Sequence, residues 1–274
     1  MDDIFKTDIF EEIQRKLPKV FSLVGTSLPK NQDIYFLAKR DEIFQRYSSS
    51  RMFIRQAIDT TEFNYWFTPL QDKKSQRAME YKIRADLYET ALINYNIIVD
   101  LSWTITYVSA EYMLYKFDSN KNVVNATEIS GMTPIEEAYE MLRKTESGVS
   151  TPHAEGNPFS YLKIMAPEFS EMIDLIVGFW RGFSQSNIRS LYNFIKHKGK
   201  PLYKEIEDIF ERKAWSIQIG NQEYPSDIRD VQRKLVLEDE IRVLIDFDDS
   251  MLFPYLVKLL QLLEKAVNPS PFIY

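Results

Sequence analysis

The segment Lys73–Phe117 decides the fold class, and it reads KKSQRAMEYKIRADLYETALINYNIIVDLSWTITYVSAEYMLYKF, without Pro or Gly. An uninterrupted helix of this length would measure about 68 Å at 1.5 Å per residue. A compact chain of this size is only about 48 Å across. We therefore expect the segment to kink or to form two helices, with the weak point at Trp103–Val108, which is rich in β-branched and aromatic residues. From Ala91 onward, apolar residues lie on all sides, which is typical of a central, buried helix.

The composition of the whole chain supports long helices around a sizeable core. The 274 residues include 8 Gly, 12 Pro and 45% apolar residues, with 27% charged residues. So few turn-forming residues disfavour a β-sandwich, and this balance excludes a mainly disordered chain. The absence of Cys excludes disulfides, Cys-based zinc sites, iron–sulfur clusters and thiol nucleophiles. A net charge of −6 argues against extensive coating by nucleic acid but allows a local basic patch.

Apolar spacing, capping residues and Pro or Gly stops predict further helices along the chain. These are Asp2–Leu17, Asp33–Tyr47, Arg51–Phe67, Thr133–Lys144, Ser160–Met165, Pro167–Phe183, Ser186–Lys198, Tyr203–Lys213 and Leu252–Val267. The polar segments Asp118–Gly131 and Gly148–Pro158 are predicted to be loops. Apolar and polar residues alternate at Trp215, Ile217 and Ile219, and again at Ile241, Val243, Ile245 and Phe247, which indicates short strands.

These elements together predict an all-α bundle with a small β appendage near the C-terminus. We expect one helical domain over residues 1–274, with a core at about 73–213, the β element at about 214–247 and a C-terminal helix at about 250–267. A membrane span is not expected, because the most apolar window, Ala91–Ala110, contains Asn94, Asn96 and Asp100. The first residues lack the pattern of a secretory signal, so a cytoplasmic location is expected.

The chain has only two histidines, His153 and His197. Neither has a carboxylate three or four residues further on, so no metal site is expected. No glycine-rich phosphate loop, nucleophile elbow or zinc-protease motif is present, so the standard nucleotide-binding and hydrolase interpretations have no support. No cofactor is expected either. Imidazole chemistry, if the chain has any, must use one of these two residues.

The predicted helix Ser186–Lys198 has a distinct polar face. If each residue turns by 100° and Ile188 is placed at zero, one stripe is apolar. That stripe contains Leu191, Phe194 and Ile195, at about 300°, 240° and 340°. A polar row lies opposite, with Arg189, Asn193 and His197 at about 100°, 140° and 180°. Tyr192 and Lys196 flank this row, and Lys198 and Lys200 follow it. The helix is therefore anchored by one side, and a cationic and polar row faces away.

Such a row has two interpretations. Arg and Lys neutralise phosphate, Asn fixes orientation by hydrogen bonds, and His exchanges a proton near neutral pH. The set can bind a phosphodiester, and with RNA it can promote attack of a 2′-hydroxyl on the adjacent phosphorus without a metal. The alternative is an ordinary solvated face, because cations near a helix C-terminus are favoured by the helix dipole alone.

The run Tyr192–Gly199 (YNFIKHKG), late in a helical chain, resembles the HEPN superfamily. It is most similar to a branch described as HEPN-like domains of uncharacterised bacterial proteins. The resemblance implies a helical bundle from toxin–antitoxin, phage-defence or RNA-processing systems. Active members are metal-independent endoribonucleases, usually homodimers in which the two motifs meet across the interface. A homodimer, an RNA or nucleotide ligand, and an antitoxin or other partner protein are therefore expected.

The family motif is an Arg, usually followed by a polar residue, and then a His. Four to six residues lie between the Arg and the His. Asn193 matches the polar position and His197 the histidine, whereas Tyr192 stands where the arginine belongs. Arg189 is the nearest arginine, one turn earlier on the same predicted face.

This departure leaves three hypotheses open. The favoured one is a catalytically degenerate protein that binds RNA or a nucleotide through Arg189, Asn193 and His197, with phosphate contacts from Tyr192, Lys196, Lys198 and Lys200. The second is an active endoribonuclease that uses His197 and Arg189. The third is a structural or protein-interaction module without enzymatic activity.

Overall fold

The structure is a computed structural model that describes residues 31–60, 72–109, 114–117, 123–127, 163, 167–210, 216–225 and 233–266. The helices within these ranges are α1 (Asn31–Ile58), α2 (Lys73–Ser109), α3 (Ser170–Phe183), α4 (Asn187–Lys198), α5 (Lys204–Phe210), α6 (Leu237–Phe247) and α7 (Phe253–Ala266). A 3-10 turn, Pro167–Phe169, precedes α3, and a π-helical segment, Asp248–Leu252, precedes α7. The strands are β1 (Leu114–Phe117), β2 (Val123–Thr127), β3 (Leu202–Tyr203), β4 (Ser216–Ile219), β5 (Gln222–Pro225) and β6 (Lys234–Leu235). The fold is all-α with small β elements, as the sequence predicts.

The described residues belong to two compact units. The first draws on residues 1–48, 97–185 and 250–274, and the second on residues 49–96 and 186–249. The single-domain organisation expected from the sequence stays a prediction.

The first unit has an aromatic core. Trp103 of α2 meets Trp180 of α3 edge to face, with ring centroids 4.6 Å apart at 84°. Phe179 stacks on Tyr255 of α7 at 3.9 Å. The Tyr255 hydroxyl shares a hydrogen bond of 2.8 Å with Ser102 Oγ. Because every one of these residues is buried, α3 and α7 are fixed against the later part of α2.

The second unit carries the helix of greatest functional interest, α4, which packs against α6. A short parallel pair joins β3 to β6, with Leu202 opposite Lys234 and Tyr203 opposite Leu235. Strands β4 and β5 form an antiparallel hairpin, turned at Gly220 with a φ of 64°. That hairpin confirms a strand at Ile217 and Ile219.

Four sequence predictions differ in detail from the structure. Helix α1 is continuous where two helices, ending at Tyr47 and starting at Arg51, were predicted. Its buried residues Ile43, Tyr47, Ser50 and Ile54 keep helical spacing through the serine run. Helix α2 is likewise one helix, and it continues through the expected weak point to Ser109. At 37 residues it corresponds to about 55 Å of helix axis, less than the full Pro-free segment.

The other two corrections concern strands. The segment Ile241–Phe247 belongs to helix α6, and it is not a strand. Its buried residues Leu237, Ile241, Leu244 and Ile245 follow helical spacing, whereas Val243 is 39% exposed. Strand β2, paired antiparallel with β1, lies inside the predicted loop Asp118–Gly131.

The remaining helix predictions divide between confirmed ones and ones outside the described residues. The helices at 167–183, 186–198 and 252–267 are confirmed to within about two residues. Helix α5 confirms the start of the predicted helix at 203–213. The predicted helices at 2–17 and 133–144, the loop at 148–158, Trp215 and His153 lie outside the described residues. Every helix that the structure describes is too short or too polar to cross a membrane.

Candidate functional site

Helix α4 has well-defined ends. The Ser186 hydroxyl accepts a hydrogen bond of 3.2 Å from the backbone N–H of Arg189, which caps the first turn. The helix ends at Gly199, whose φ of 115° and ψ of −171° lie in a region that side chains disfavour. Between these ends, Ile188 and Leu191 are buried in the second unit. The sequence-predicted apolar stripe therefore anchors the helix, although Phe194 and Ile195 are only half-buried.

The polar row and the C-terminal end of α4 are open to solvent. Asn193, Lys196, His197 and Lys198 are all exposed. The side chains of Asn193, His197 and Lys198 make no hydrogen bond or ion pair with any residue that the structure describes. We call these four residues the α4 face. Among the described residues, Asn193, His197 and Lys198 can therefore meet a ligand without breaking a hydrogen bond or an ion pair.

Arg189 lies on the predicted side of the helix but is held by another element. Its Nη1 donates a hydrogen bond of 3.2 Å to Asn96 Oδ1 on α2. Asn96 is fully buried, and its Nδ2 donates to the carbonyl oxygen of Leu92 at 2.9 Å. Asn96 thus uses both ends of its amide inside the protein. Eight residues, about 12 Å along the helix axis, separate Arg189 from His197.

The tyrosine in the motif arginine position contacts two cations. The ring centroid of Tyr192 lies 5.1 Å from Arg189 Cζ and 5.8 Å from Lys196 Nζ. Such cation–π contacts are worth about 0.5–1 kcal/mol at exposed sites. The half-buried Tyr192 ring therefore favours positions of both cationic groups close to the helix.

Lys200 differs from Lys196 and Lys198, because its ammonium group is paired with carboxylates that the structure describes. It forms ion pairs with Asp86 and with Glu89 Oε2 of α2, the latter at 3.5 Å. The hydrogen bond from Lys200 to Asp86 raises the pKa of the lysine. Its charge is therefore already balanced within the second unit, unlike that of Lys198.

A buried cluster of carboxyl and hydroxyl groups lies beyond this lysine. The Tyr203 hydroxyl donates to Glu89 Oε1 at 3.1 Å, and the Tyr88 hydroxyl donates to Glu240 Oε2 at 3.2 Å. Burial raises the pKa of Glu89 and of Glu240, and it also raises the pKa of both tyrosines. The sequence gives no signal for this cluster, because its members come from three separate segments.

One further arginine, absent from the sequence analysis, contacts α4. Arg233 Nη1 donates a hydrogen bond of 3.2 Å to Ser190 Oγ on the exposed side of the helix. No local pattern around Arg233 could have indicated this contact, which joins residues 43 positions apart.

The site offers no arrangement for a metal ion. Within the described ranges, no group of three or more His, Asp or Glu side chains is placed to hold one. The chemistry available to α4 is that of guanidinium, ammonium, amide and imidazole groups, which together suit an anionic ligand. No protein-family model, no curated protein and no solved structure matches this chain.

Proposed function

We propose that this chain is a HEPN-like protein that binds single-stranded RNA through the α4 face and does not cleave it. The proposal rests on one observation above all. An anchored helix presents an amide, an imidazole and two ammonium groups to solvent, and no described carboxylate is paired with them. A strand with a phosphate at every nucleotide is a ligand that complements this row.

The charge around α4 supports an anionic ligand. Residues 186–204 contain five Lys and Arg residues and no Asp or Glu, in a chain whose net charge is −6. Lysines provide attraction to phosphate that is independent of base sequence. Asn193 and His197 add directional hydrogen bonds, which can orient a strand along the helix.

The position of Arg189 argues for binding without catalysis. In the resemblance, the motif arginine acts on the same phosphate as the imidazole, where a guanidinium can stabilise the anionic phosphorus through two hydrogen bonds as the bond forms. Arg189 is about 12 Å from His197 along the helix and donates to the buried Asn96. The neighbouring lysines supply charge but not this two-pronged geometry, so an imidazole without the guanidinium loses part of the electrostatic stabilisation of the transition state.

RNA binding is tested by fluorescence anisotropy of a short labelled single-stranded RNA over a salt series. Each phosphate contact on a single strand contributes about −0.7 to the slope of log K against log salt. The variant Lys196→Gln/Lys198→Gln should therefore reduce the slope by about 1.4 and weaken binding. The matched control is Lys73→Gln/Lys82→Gln, which removes the same charge from two exposed lysines of α2. The proposal is overturned if the two double variants show the same affinity and the same salt slope, or if the unaltered protein does not bind RNA at low salt.

Cleavage is tested separately on the same RNA with purified protein in chelator. We expect no product from either the unaltered protein or His197→Ala. Cleavage by the unaltered protein that disappears in His197→Ala would replace the binding proposal with the endoribonuclease alternative.

A further inference from the structure

Arg233 is fixed in position by backbone pairing, although it lies one residue before β6 and outside any helix or strand. Its carbonyl oxygen accepts a hydrogen bond of 2.9 Å from the backbone N–H of Leu202. The next residues, Lys234 and Leu235, pair in parallel with β3. The backbone of Arg233 is therefore anchored, and its guanidinium donates a hydrogen bond to the hydroxyl of Ser190.

Ser190 places this guanidinium on the exposed side of α4. At 100° per residue, Ser190 lies about 20° from His197 and about 60° from Asn193 around the helix axis. A hydroxyl partner does not neutralise a guanidinium charge. The side chain is also near Glu240, and it opposes the rise in the pKa of that carboxyl that burial causes. Arg233 is thus a positioned cation beside the α4 face, whereas Arg189 is directed to the buried Asn96.

We infer that Arg233 is an RNA-binding residue, which contacts one phosphate of a strand while His197 and Lys198 contact another. This inference rests on the proposed function and adds to it a phosphate-binding arginine from outside α4. Seven residues, about 10 Å along the helix, separate Ser190 from His197. A single phosphate accepting hydrogen bonds of about 2.8 Å does not bridge that distance. The ligand is therefore an oligonucleotide strand that runs along α4, and not a mononucleotide.

The main test is the variant Arg233→Gln in the same anisotropy experiment. We expect a loss of about two- to fivefold in affinity at low salt, the range for one exposed ionic contact. The salt slope should decrease by about 0.7, and Arg233→Lys should retain the slope because it retains the charge. The matched control is Arg242→Gln, which removes one exposed arginine from α6. A thermal melt of each variant shows whether the fold is intact.

A competition experiment tests the class of ligand. Unlabelled oligonucleotide should displace the labelled RNA, whereas uridine monophosphate at the same total phosphate concentration should not. Equal displacement by the two competitors would overturn the strand assignment.

The outcomes also separate this inference from the proposed function. If the unaltered protein binds no RNA, the proposed function and the assignment of Arg233 are both wrong. If Lys196→Gln/Lys198→Gln weakens binding but Arg233→Gln matches Arg242→Gln, only the assignment of Arg233 is wrong.

Discussion

The substitution Asp248→Asn should destabilise the protein more than any exposed charge change, because Asp248 belongs to a buried ion pair. Its Oδ2 is 2.6 Å from Arg51 Nη1 and also accepts a hydrogen bond of 2.9 Å from the Tyr95 hydroxyl. The two charged side chains are 0% and 5% exposed. Asparagine keeps the shape and can still accept from Tyr95, but it leaves the guanidinium without its buried counter-charge.

The expected cost follows from the surroundings of that guanidinium. Removal of one partner of a buried ion pair costs about 3–5 kcal/mol. Asp249 Oδ1 lies 3.6 Å from the same Arg51 Nη1 and is 45% exposed, so it compensates part of the loss. We therefore expect the lower limit, about 3 kcal/mol. For a chain of this size, this free energy corresponds to a fall in Tm of roughly 6–12 °C.

The assay is thermal unfolding followed by circular dichroism, with Asp249→Asn as the matched control. The control should change the unfolding free energy by no more than about 0.5 kcal/mol, since that carboxylate is exposed. The double variant Arg51→Met/Asp248→Asn should be more stable than Asp248→Asn alone, because it removes the uncompensated charge. The reasoning is refuted if Asp248→Asn melts with the unaltered protein, or if the double variant is the less stable of the two.

Three further predictions concern α4 and the residues near it. Gly199→Ala should cost about 1–3 kcal/mol of unfolding free energy, because a φ of 115° with a ψ of −171° is strained for alanine. No atom crowds the position, so the cost comes from the backbone conformation. A denaturant titration measures it, and an unchanged unfolding midpoint contradicts the prediction. Ser186→Ala should cost about 1 kcal/mol by losing the helix cap, with Ser186→Asp as the control that restores it. Burial raises the pKa of Glu89, so the folded protein binds the carboxyl proton more tightly than the unfolded chain does. The contribution of Glu89 to stability therefore falls as the pH rises from the ordinary Glu pKa through the raised pKa. Glu89→Gln should remove that slope from melts across this pH range, and an identical pH profile would contradict the assignment.

The secondary structure is predictable from the sequence where the signals are local. Helix α4 begins after a Ser cap and ends at Gly199, and both signals lie within the segment they bound. Helix α1 shows the limit of such signals. The serine run at 48–50 separates the two predicted helices, and serines favour helix ends because their hydroxyls compete for backbone groups. The structure continues the helix because Tyr47, Ser50 and Ile54 are all buried, and tertiary packing outweighs propensity.

The error at α6 has a different cause, which is an ambiguous pattern. Ile241, Val243, Ile245 and Phe247 alternate as in a strand, but Leu244 between them is fully buried. Counting Leu244 turns the pattern into i, i+3, i+4, the spacing of a helix. Short apolar runs fit both the period of a strand and that of a helix. The exposure of Val243 in the structure agrees with the helical period.

The candidate site was predictable only in part, because a charged side chain finds its partner through the fold. The orientation of Asn193 and His197 follows from helix periodicity alone, and the structure places both on the exposed side. The role of each arginine does not follow from the sequence in this way. Arg189 hydrogen-bonds a residue 93 positions away, and Arg233 reaches α4 from 43 positions away.

The two arginines also differ in what their surroundings allow them to do. A guanidinium that donates to the buried amide of Asn96 is part of a network that costs free energy to break, so a ligand gains little from it. The Arg233 guanidinium donates to an exposed hydroxyl and can exchange that partner for phosphate, although its attraction to the Glu240 carboxylate reduces the gain in charge pairing. Proximity in sequence to a motif histidine is therefore a weak guide to which arginine serves a ligand. On α4 the solvent exposure of the hydrogen-bond partner separates them, and it favours Arg233.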